Sequence, residues 1–159
     1  MNWFRNIFGT SKTEDDDVLK ELNAQMTDIK NSGKVDDGHY TDSVEKIKSL
    51  KRQGKNSEAI ELLLKCVAAT EAEAKSAKSK PSVLDEKFAF LEKGRPESNW
   101  GVAPWYYEQL AILYRKDKEY QKEVEILERY EKQEKALGVG PQKLAERLIK
   151  ARELAIKST

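Results

Sequence analysis

Residues 104–116 read PWYYEQLAILYRK, and this stretch decides the fold class. Pro104 suits the first position of a helix, because its missing N–H would have had no partner there. Apolar and aromatic residues then recur at intervals of three and four, which places them on one helical face. A second run with the same period follows over residues 120–137, after a short polar turn. Together the two runs predict a pair of antiparallel helices. The residues that set the first period are Tyr107, Leu110, Ala111 and Tyr114.

The helical period continues outward from this pair in both directions. Gly and Pro residues separate the periodic runs, as expected for turns between helices. No segment longer than five residues alternates in the manner of a strand. The sequence therefore predicts an all-α fold. The predicted helices span residues 14–31, 41–52, 57–78, 82–94, 104–116, 120–137 and 141–157.

Composition limits the classes of protein that this chain can represent. Charged residues make up 36% and apolar residues 38% of the 159 residues, so many helical faces must meet water. The net charge of +1 gives no global attraction to nucleic acid. No apolar run approaches the roughly 18 residues of a membrane-spanning helix. A single Cys and the lack of a signal-peptide pattern lead us to expect a cytoplasmic protein.

The central pair of helices resembles a tetratricopeptide repeat (TPR), whose first helix follows the pattern W-x2-L-G-x2-Y. Tyr107 stands at the Trp position, Leu110 matches the Leu, and Tyr114 matches the Tyr. Ala111 replaces the Gly with another small residue, and Glu123 occupies a position that the family gives to a packing Ala. The first helix of the pair also resembles a stretch in poorly characterised bacterial and phage proteins.

An earlier stretch resembles the second half of the same repeat. After the turn at residues 54–57, Ala59 takes the small position and Leu63 the large one. The two units lie farther apart than the about 34 residues of one repeat, because residues 79–103 are inserted between them. The resemblance implies antiparallel helical hairpins stacked as a short α-α superhelix, with flanking helices at its N-terminal and C-terminal ends.

This organisation divides the chain into two parts. Residues 1–40 comprise an apolar N-terminal segment, an acidic helix and a linker, and they carry an excess of acidic side chains. Residues 41–159 form the TPR-like domain with its insert. Aromatic residues of the insert are expected to cover the gap between the hairpins, although the loop 94–101 is long enough to be functional instead. The residues expected in this cover are Phe88, Phe90, Leu91, Trp100 and Trp105.

The resemblance also implies a groove, since the first helix of each hairpin lines the concave side of such a stack. The groove predicted here is mainly basic and carries a Trp, which suits an acidic peptide segment or a chain-terminal carboxylate. We therefore expect a scaffold that binds a peptide or protein partner and performs no catalysis. The predicted groove residues are Lys48, Lys51, Arg52, Trp105, Glu108, Ile112, Arg115 and Lys116.

Helix 104–116 also permits an alternative function, nucleic-acid binding. Tyr106, Tyr107 and Tyr114 would stack on bases, and Arg115 and Lys116 would pair with phosphates. Two observations oppose this alternative. The tyrosine spacing is that of a buried helical face, and a nearly neutral chain gains little from counterion release.

The first eight residues contain a candidate docking cluster of four large apolar side chains. Their spacing places them on one helical face. The cluster is too short and too weakly basic for firm membrane binding. Docking on the protein's own surface, contact with a partner, weak contact with a membrane and a disordered tail all stay open. The groove or the Trp100/Trp105 region is the expected internal receptor. The cluster consists of Trp3, Phe4, Ile7 and Phe8.

Residue types that support catalysis or metal binding are scarce. His39 is the only His, and in a linker rich in Asp and Gly we expect it to be a solvated loop residue. Without a second His, neither a two-His metal site nor a Cys/His or Ser/His pair is predicted. Cys66 lies beside the apolar face of its helix and is expected to be a small buried residue. We expect no enzyme, no metal and no cofactor.

Overall fold

The protein is described by a computed structural model that covers residues 12–79, 100–136 and 138–158. Helices dominate these ranges, which confirms the all-α prediction. The helix predicted at 82–94 and the aromatic residues within it lie outside the described residues. The elements are α1 (Lys12–Ser32), β1 (Lys34–Val35), β2 (Gly38–His39), a 3-10 helix (Tyr40–Ser43), α2 (Val44–Arg52), α3 (Asn56–Ser79), α4 (Pro104–Lys116), α5 (Tyr120–Glu131) and α6 (Val139–Lys157).

Each described helix from α2 onward packs against the next described helix. α3 contacts both α2 and α4, α5 packs between α4 and α6, and α4 also touches α6. Short turns join α2 to α3 and α4 to α5, so each of these pairs is an antiparallel hairpin. α1 packs on α3, so α3 and α4 each have three neighbouring helices within the described ranges.

One continuous apolar core runs between the helices from α2 to α6. Ile47, Leu63, Tyr107 and Leu110 are 0% exposed within it. Tyr40, which precedes α2, belongs to the same core. Val35 is part of this core as well, so the chain from residue 35 to residue 40 packs with the helices that follow it. In the described part of the chain, no helix combines the length and the apolar character needed to cross a membrane.

A short β-hairpin occupies the region where the sequence predicts a turn-rich linker. Lys34 pairs with His39 and Val35 pairs with Gly38 in antiparallel register. Strands of two residues are too short to produce an alternating pattern, so they could not be predicted from the sequence. Gly33 allows the hairpin to fold onto the end of α1, because a Cβ atom there would lie 2.6 Å from His39 Nε2.

The turns after α2 and α4 end both helices in the same way. After α2, the Lys55 N–H donates to the Leu50 carbonyl at 3.0 Å and the Gly54 N–H donates to the Lys51 carbonyl at 3.2 Å. These two bonds define a Schellman motif, with Gly54 in the left-handed region at φ +73°. The turn after α4 places Lys118 in the equivalent position at φ +59°.

These two turns lead to a pair of predictions with opposite signs. Gly54→Ala is expected to lower the free energy of unfolding by about 1 kcal/mol, because a Cβ atom disfavours the left-handed conformation. Lys118→Gly is expected to raise it by a few tenths of a kcal/mol for the same reason. Urea unfolding of both variants measures the changes. Equal effects of the same sign would contradict this explanation of the turns.

α5 ends at Glu131, six residues before the predicted end. The chain beyond it turns back toward the start of α4 instead of continuing as a helix. The Val102 N–H donates to the Glu134 carbonyl at 3.0 Å, and Val102 forms an isolated parallel bridge with Lys135. A long-range backbone contact, rather than a local breaker residue, thus sets this boundary.

Candidate functional site

The predicted groove residues of α4 lie on one side of that helix. The opposite side is buried, with Tyr107, Leu110 and Ala111 all 0% exposed. Helical spacing places Trp105, Glu108, Ile112, Arg115 and Lys116 away from that buried side. Glu108, Ile112 and Arg115 are partly exposed, and Lys116 is exposed. α4 therefore supplies a continuous surface beside α2 and α6.

Lys51 of α2 meets α4 at this surface. Its Nζ atom donates to Gln109 Oε1. Partial burial lowers the pKa of the Lys51 ammonium, the charge of Lys116 lowers it further, and Glu108 acts in the opposite direction. The fold thus holds two like charges close together and places one carboxylate near them.

Glu108 is engaged by the last helix. Lys143 of α6 lies 2.5 Å from Glu108 Oε1, and the Glu108 side chain is 20% exposed. Glu108 therefore forms an ion pair with Lys143 while its charge also acts on Lys51. Neither Lys51 nor Lys116 has an ion-pair partner among the described residues.

A buried ionic triad links α4, α5 and α6 below the same surface. Glu123 is 0% exposed and accepts a hydrogen bond from Arg115 Nε at 2.8 Å and from Arg147 Nε at 3.0 Å. Arg115 Nη2 is buried and has no hydrogen-bond partner within the described ranges. Two cations therefore share one carboxylate, and the triad carries a net positive charge. The sequence predicts Arg115 in the groove, whereas in the structure its Nε atom donates to the buried carboxylate of Glu123.

The other predicted groove residues are placed as follows. Lys48 pairs with Glu45 on its own helix at 2.7 Å, and both side chains are at least half exposed. Arg52 is exposed at the end of α2. Trp105 is half-buried and packs edge-on against Tyr106, with 5.1 Å between the ring centroids.

We call the resulting surface the basic face. It contains one cation on α2, two on α4 and two on α6. The carboxylates of Glu108 and Glu123 are each engaged in ion pairs with cations of this face. Lys143 and Arg147 of α6 could not be predicted from the resemblance, because they lie outside the two hairpins that carry it. The basic face is defined by Lys51, Arg115, Lys116, Lys143 and Arg147.

The tyrosines of α4 do not present free ring faces. Tyr106 is 3% exposed and donates its hydroxyl to the Tyr40 carbonyl at 2.9 Å. Tyr107 is 0% exposed and donates to Glu71 Oε1 at 2.7 Å. Tyr114 is only partly exposed. Base stacking needs an accessible ring face, so this geometry offers little to a single-stranded nucleic acid.

A concave surface lies between α1 and α3, and we call it the α1–α3 cleft. It has a volume of about 560 Å³. Met26 and Ile29 of α1 form one wall, Trp100 lines the cleft as well, and His39 and Glu73 lie at its polar end. Trp100 is 41% exposed, so it does not cover the gap between the hairpins as a core residue would.

The polar end of this cleft is a hydrogen-bonded cluster that the sequence did not predict. His39 Nε2 lies 3.0 Å from Glu73 Oε1, and the Tyr40 hydroxyl donates to Glu73 Oε2 at 2.6 Å. His39 Nδ1 lies 2.8 Å from Thr41 Oγ1. The side chains of His39 and Glu73 are 13% and 12% exposed, so the prediction of a solvated His39 is wrong. His39 caps the 3-10 helix and joins it to α3.

The raised pKa of Tyr40 allows this cluster to be tested by measuring the free energy of unfolding in alkaline solution. Burial, followed by the hydrogen bond to Glu73, raises the pKa of Tyr40 from 10.0 to about 12. The folded state therefore keeps a proton that the unfolded chain loses, so stability present below pH 10.0 is lost between pH 10.0 and about 12. We expect Tyr40→Phe to lose less stability than the wild type over this range in urea unfolding. An unchanged pH dependence would contradict the assignment.

The remaining candidate groups are accounted for within the described ranges. Cys66 is 0% exposed, which confirms the prediction of a buried residue, and burial raises the pKa of its thiol. Among residues 12–79, 100–136 and 138–158, no group of three or more His, Cys, Asp or Glu is placed to hold a metal ion. The docking cluster of Trp3, Phe4, Ile7 and Phe8 lies outside the described residues.

Comparison with known proteins adds no family to this description. No family model matches the chain, and neither a curated protein nor a solved structure matches it. The residues and contacts given above are therefore the basis for proposing a function.

Proposed function

We propose that this protein is a non-catalytic scaffold that binds a polypeptide partner across the basic face, and that the bound segment is acidic. The observation that carries the proposal is the environment of Lys51. This ammonium is partly buried, lies near Lys116, and has a neutral amide oxygen of Gln109 as its hydrogen-bond acceptor. A carboxylate from a partner would relieve the repulsion and form charge-assisted hydrogen bonds, which are stronger than neutral ones.

The order of helix packing supports a scaffold of the TPR-like kind. The described helices from α2 to α6 pack in chain order, and α4 also contacts α6. In stacks of this type the first helices of successive hairpins share one side, which here would contain α2, α4 and α6. A rigid surface loses little entropy when a flexible partner binds. A cytoplasmic location, expected from the single Cys, belongs to the same proposal.

The buried triad supports the proposal in a second way. Arg115 and Arg147 are fixed by Glu123, so their positive charge is preorganised below the surface. Fixed charges attract an acidic segment without reorganising when it arrives. We therefore expect micromolar affinity that weakens as salt screens the basic face.

Selection from a library of random short peptides tests the proposal without knowledge of the natural partner. We expect the selected peptides to be enriched in Asp and Glu. The tightest of them, labelled with fluorescein, is then titrated with the protein, and its anisotropy gives the Kd. Comparison of free and amidated C termini distinguishes a terminal carboxylate from an internal acidic segment.

The variant Lys51→Glu/Lys116→Glu is expected to weaken this peptide at least tenfold, which is about 1.4 kcal/mol. The matched control is Lys122→Glu/Lys132→Glu, which makes the same change in net charge on an exposed residue of α5 and on the exposed residue that follows this helix. Raising salt from about 50 mM to about 500 mM should weaken the wild type more than the first variant. Selection without acidic enrichment, or equal losses in both variants, would contradict the proposal.

A further inference from the structure

The apolar wall of the α1–α3 cleft continues beyond the cleft along one flank of α1. Leu19 and Met26 lie two helical turns apart on this flank and are 56% and 44% exposed. The side of α1 that packs on α3 is different, since Ile29 is 5% exposed there. Together with Trp100, these residues form a line of exposed large apolar side chains. Such a line is unusual on a chain with 36% charged residues.

The chain itself contains a segment with the chemistry to cover this line. Residues 1–8 include the four apolar side chains of the docking cluster, and they immediately precede the helix whose flank is exposed. A segment tethered in this way has a high effective concentration at the flank, because only residues 9–11 separate it from α1. A second copy of the chain would have to bind from solution, without this gain in effective concentration.

The lengths of chain and helix agree with this assignment. At 1.5 Å per residue, Leu19 lies about 10 Å and Met26 about 21 Å along α1 from its first residue. An extended chain spans at most about 3.3–3.6 Å per residue, so Phe8 reaches about 13 Å and Phe4 about 26 Å back from that point. A segment that reverses direction before α1 therefore brings Phe8 to the level of Leu19 and Phe4 to the level of Met26.

We propose that residues 3–8 fold back along α1, with Phe8 packing on Leu19 and Phe4 entering the α1–α3 cleft between Met26 and Trp100. The residues of this contact are not part of the basic face. The protein would therefore bind its own N-terminal segment at a surface separate from the one proposed for the partner. The hydrogen-bonded polar end at His39 and Glu73 limits how far the apolar segment extends into the cleft. Docking of the segment shields the apolar flank from water.

Disulfide trapping tests this contact directly. In a Cys66→Ala background, Phe4→Cys is combined with Met26→Cys, and the matched control combines Phe4→Cys with Ala24→Cys. Ala24 is also exposed and lies at nearly the same distance along the chain, but helical spacing places it on the opposite side of α1. Mild oxidation is expected to close an intramolecular disulfide at least tenfold faster in the Met26 pair. Circular dichroism establishes that each variant is folded, and the buried thiol of Cys66 permits the same traps with Cys66 retained.

Three outcomes would overturn the proposal. Equal rates in the two pairs would show that the segment samples the surface without preference. Disulfide-linked dimers in the Met26 pair would assign the cleft to a second copy. Loss of the trap on addition of phosphatidylglycerol vesicles, together with Phe4-dependent sedimentation on them, would assign the segment to a membrane. As an independent readout, deletion of residues 1–10 should lower the melting temperature of the full chain by several degrees.

Discussion

Replacing Glu123 with alanine is expected to lower the free energy of unfolding by about 3–5 kcal/mol. The side chain is 0% exposed and receives hydrogen bonds from Arg115 and Arg147. Its removal would leave two partly buried cations, whose side chains are 33% and 20% exposed, without a counter-charge, and they would repel each other between α4, α5 and α6. An uncompensated buried charge is among the most destabilising changes a protein can suffer.

The measurement is urea unfolding followed by circular dichroism, with two comparisons. Glu125→Ala, on an exposed position of the same helix, controls for the loss of a carboxylate and should change stability by less than about 0.5 kcal/mol. The triple variant Arg115→Leu/Glu123→Leu/Arg147→Leu should recover most of the loss, because apolar packing often replaces a buried ionic triad at little cost. A Glu123→Ala effect as small as that of Glu125→Ala would contradict the buried triad.

The second large effect is expected at Gly101. A Cβ atom there would lie 2.2 Å from the Ala136 backbone nitrogen and 2.7 Å from the Lys135 carbonyl carbon. Both obstacles are backbone atoms, so no side chain can move aside to make room. We expect Gly101→Ala to lower the free energy of unfolding by about 3 kcal/mol, through overpacking and the loss of an adjacent backbone hydrogen bond.

Hydrogen exchange identifies where this damage occurs. The amide of Val102, which donates to the Glu134 carbonyl, should lose its protection in Gly101→Ala, while amides in the middle of α3 keep theirs. Gly54→Ala is the matched glycine control, because nothing lies within 4 Å of a Cβ atom there. Unaltered protection of Val102 would show that the close approach of the two segments is not a constraint.

The parts of the fold that local periodicity encodes could be predicted from the sequence. Tyr107 and Leu110 repeat at helical spacing, and both are fully buried as that spacing requires. Pro104 marks the first residue of α4 for a local steric reason. The end of α5 was predicted too late, because it depends on a contact between Val102 and Glu134 that no local pattern contains.

The candidate site was only partly predictable for a similar reason. Lys51, Glu108 and Lys116 were identified through the resemblance, and the fold places them close together. Arg147 and Lys143 were missed, since their partners lie on other helices. Glu123 stood out as a departure from the repeat pattern, yet its two arginine partners could be recognised only in three dimensions. Likewise, Glu73 lies far along the chain from His39, and no spacing rule connects them.

Chemical-shift mapping tests the central claim, peptide binding on the basic face, most directly. The ¹⁵N-labelled protein is titrated with the tightest peptide from the selection, and amide shifts are followed residue by residue. We predict that the largest shifts fall on α2, α4 and α6 around Lys51, Gln109 and Lys116, and that Lys51→Glu/Lys116→Glu abolishes them. Shifts confined to α1 or to the exposed side of α5, or no saturable shifts at all, would contradict the account.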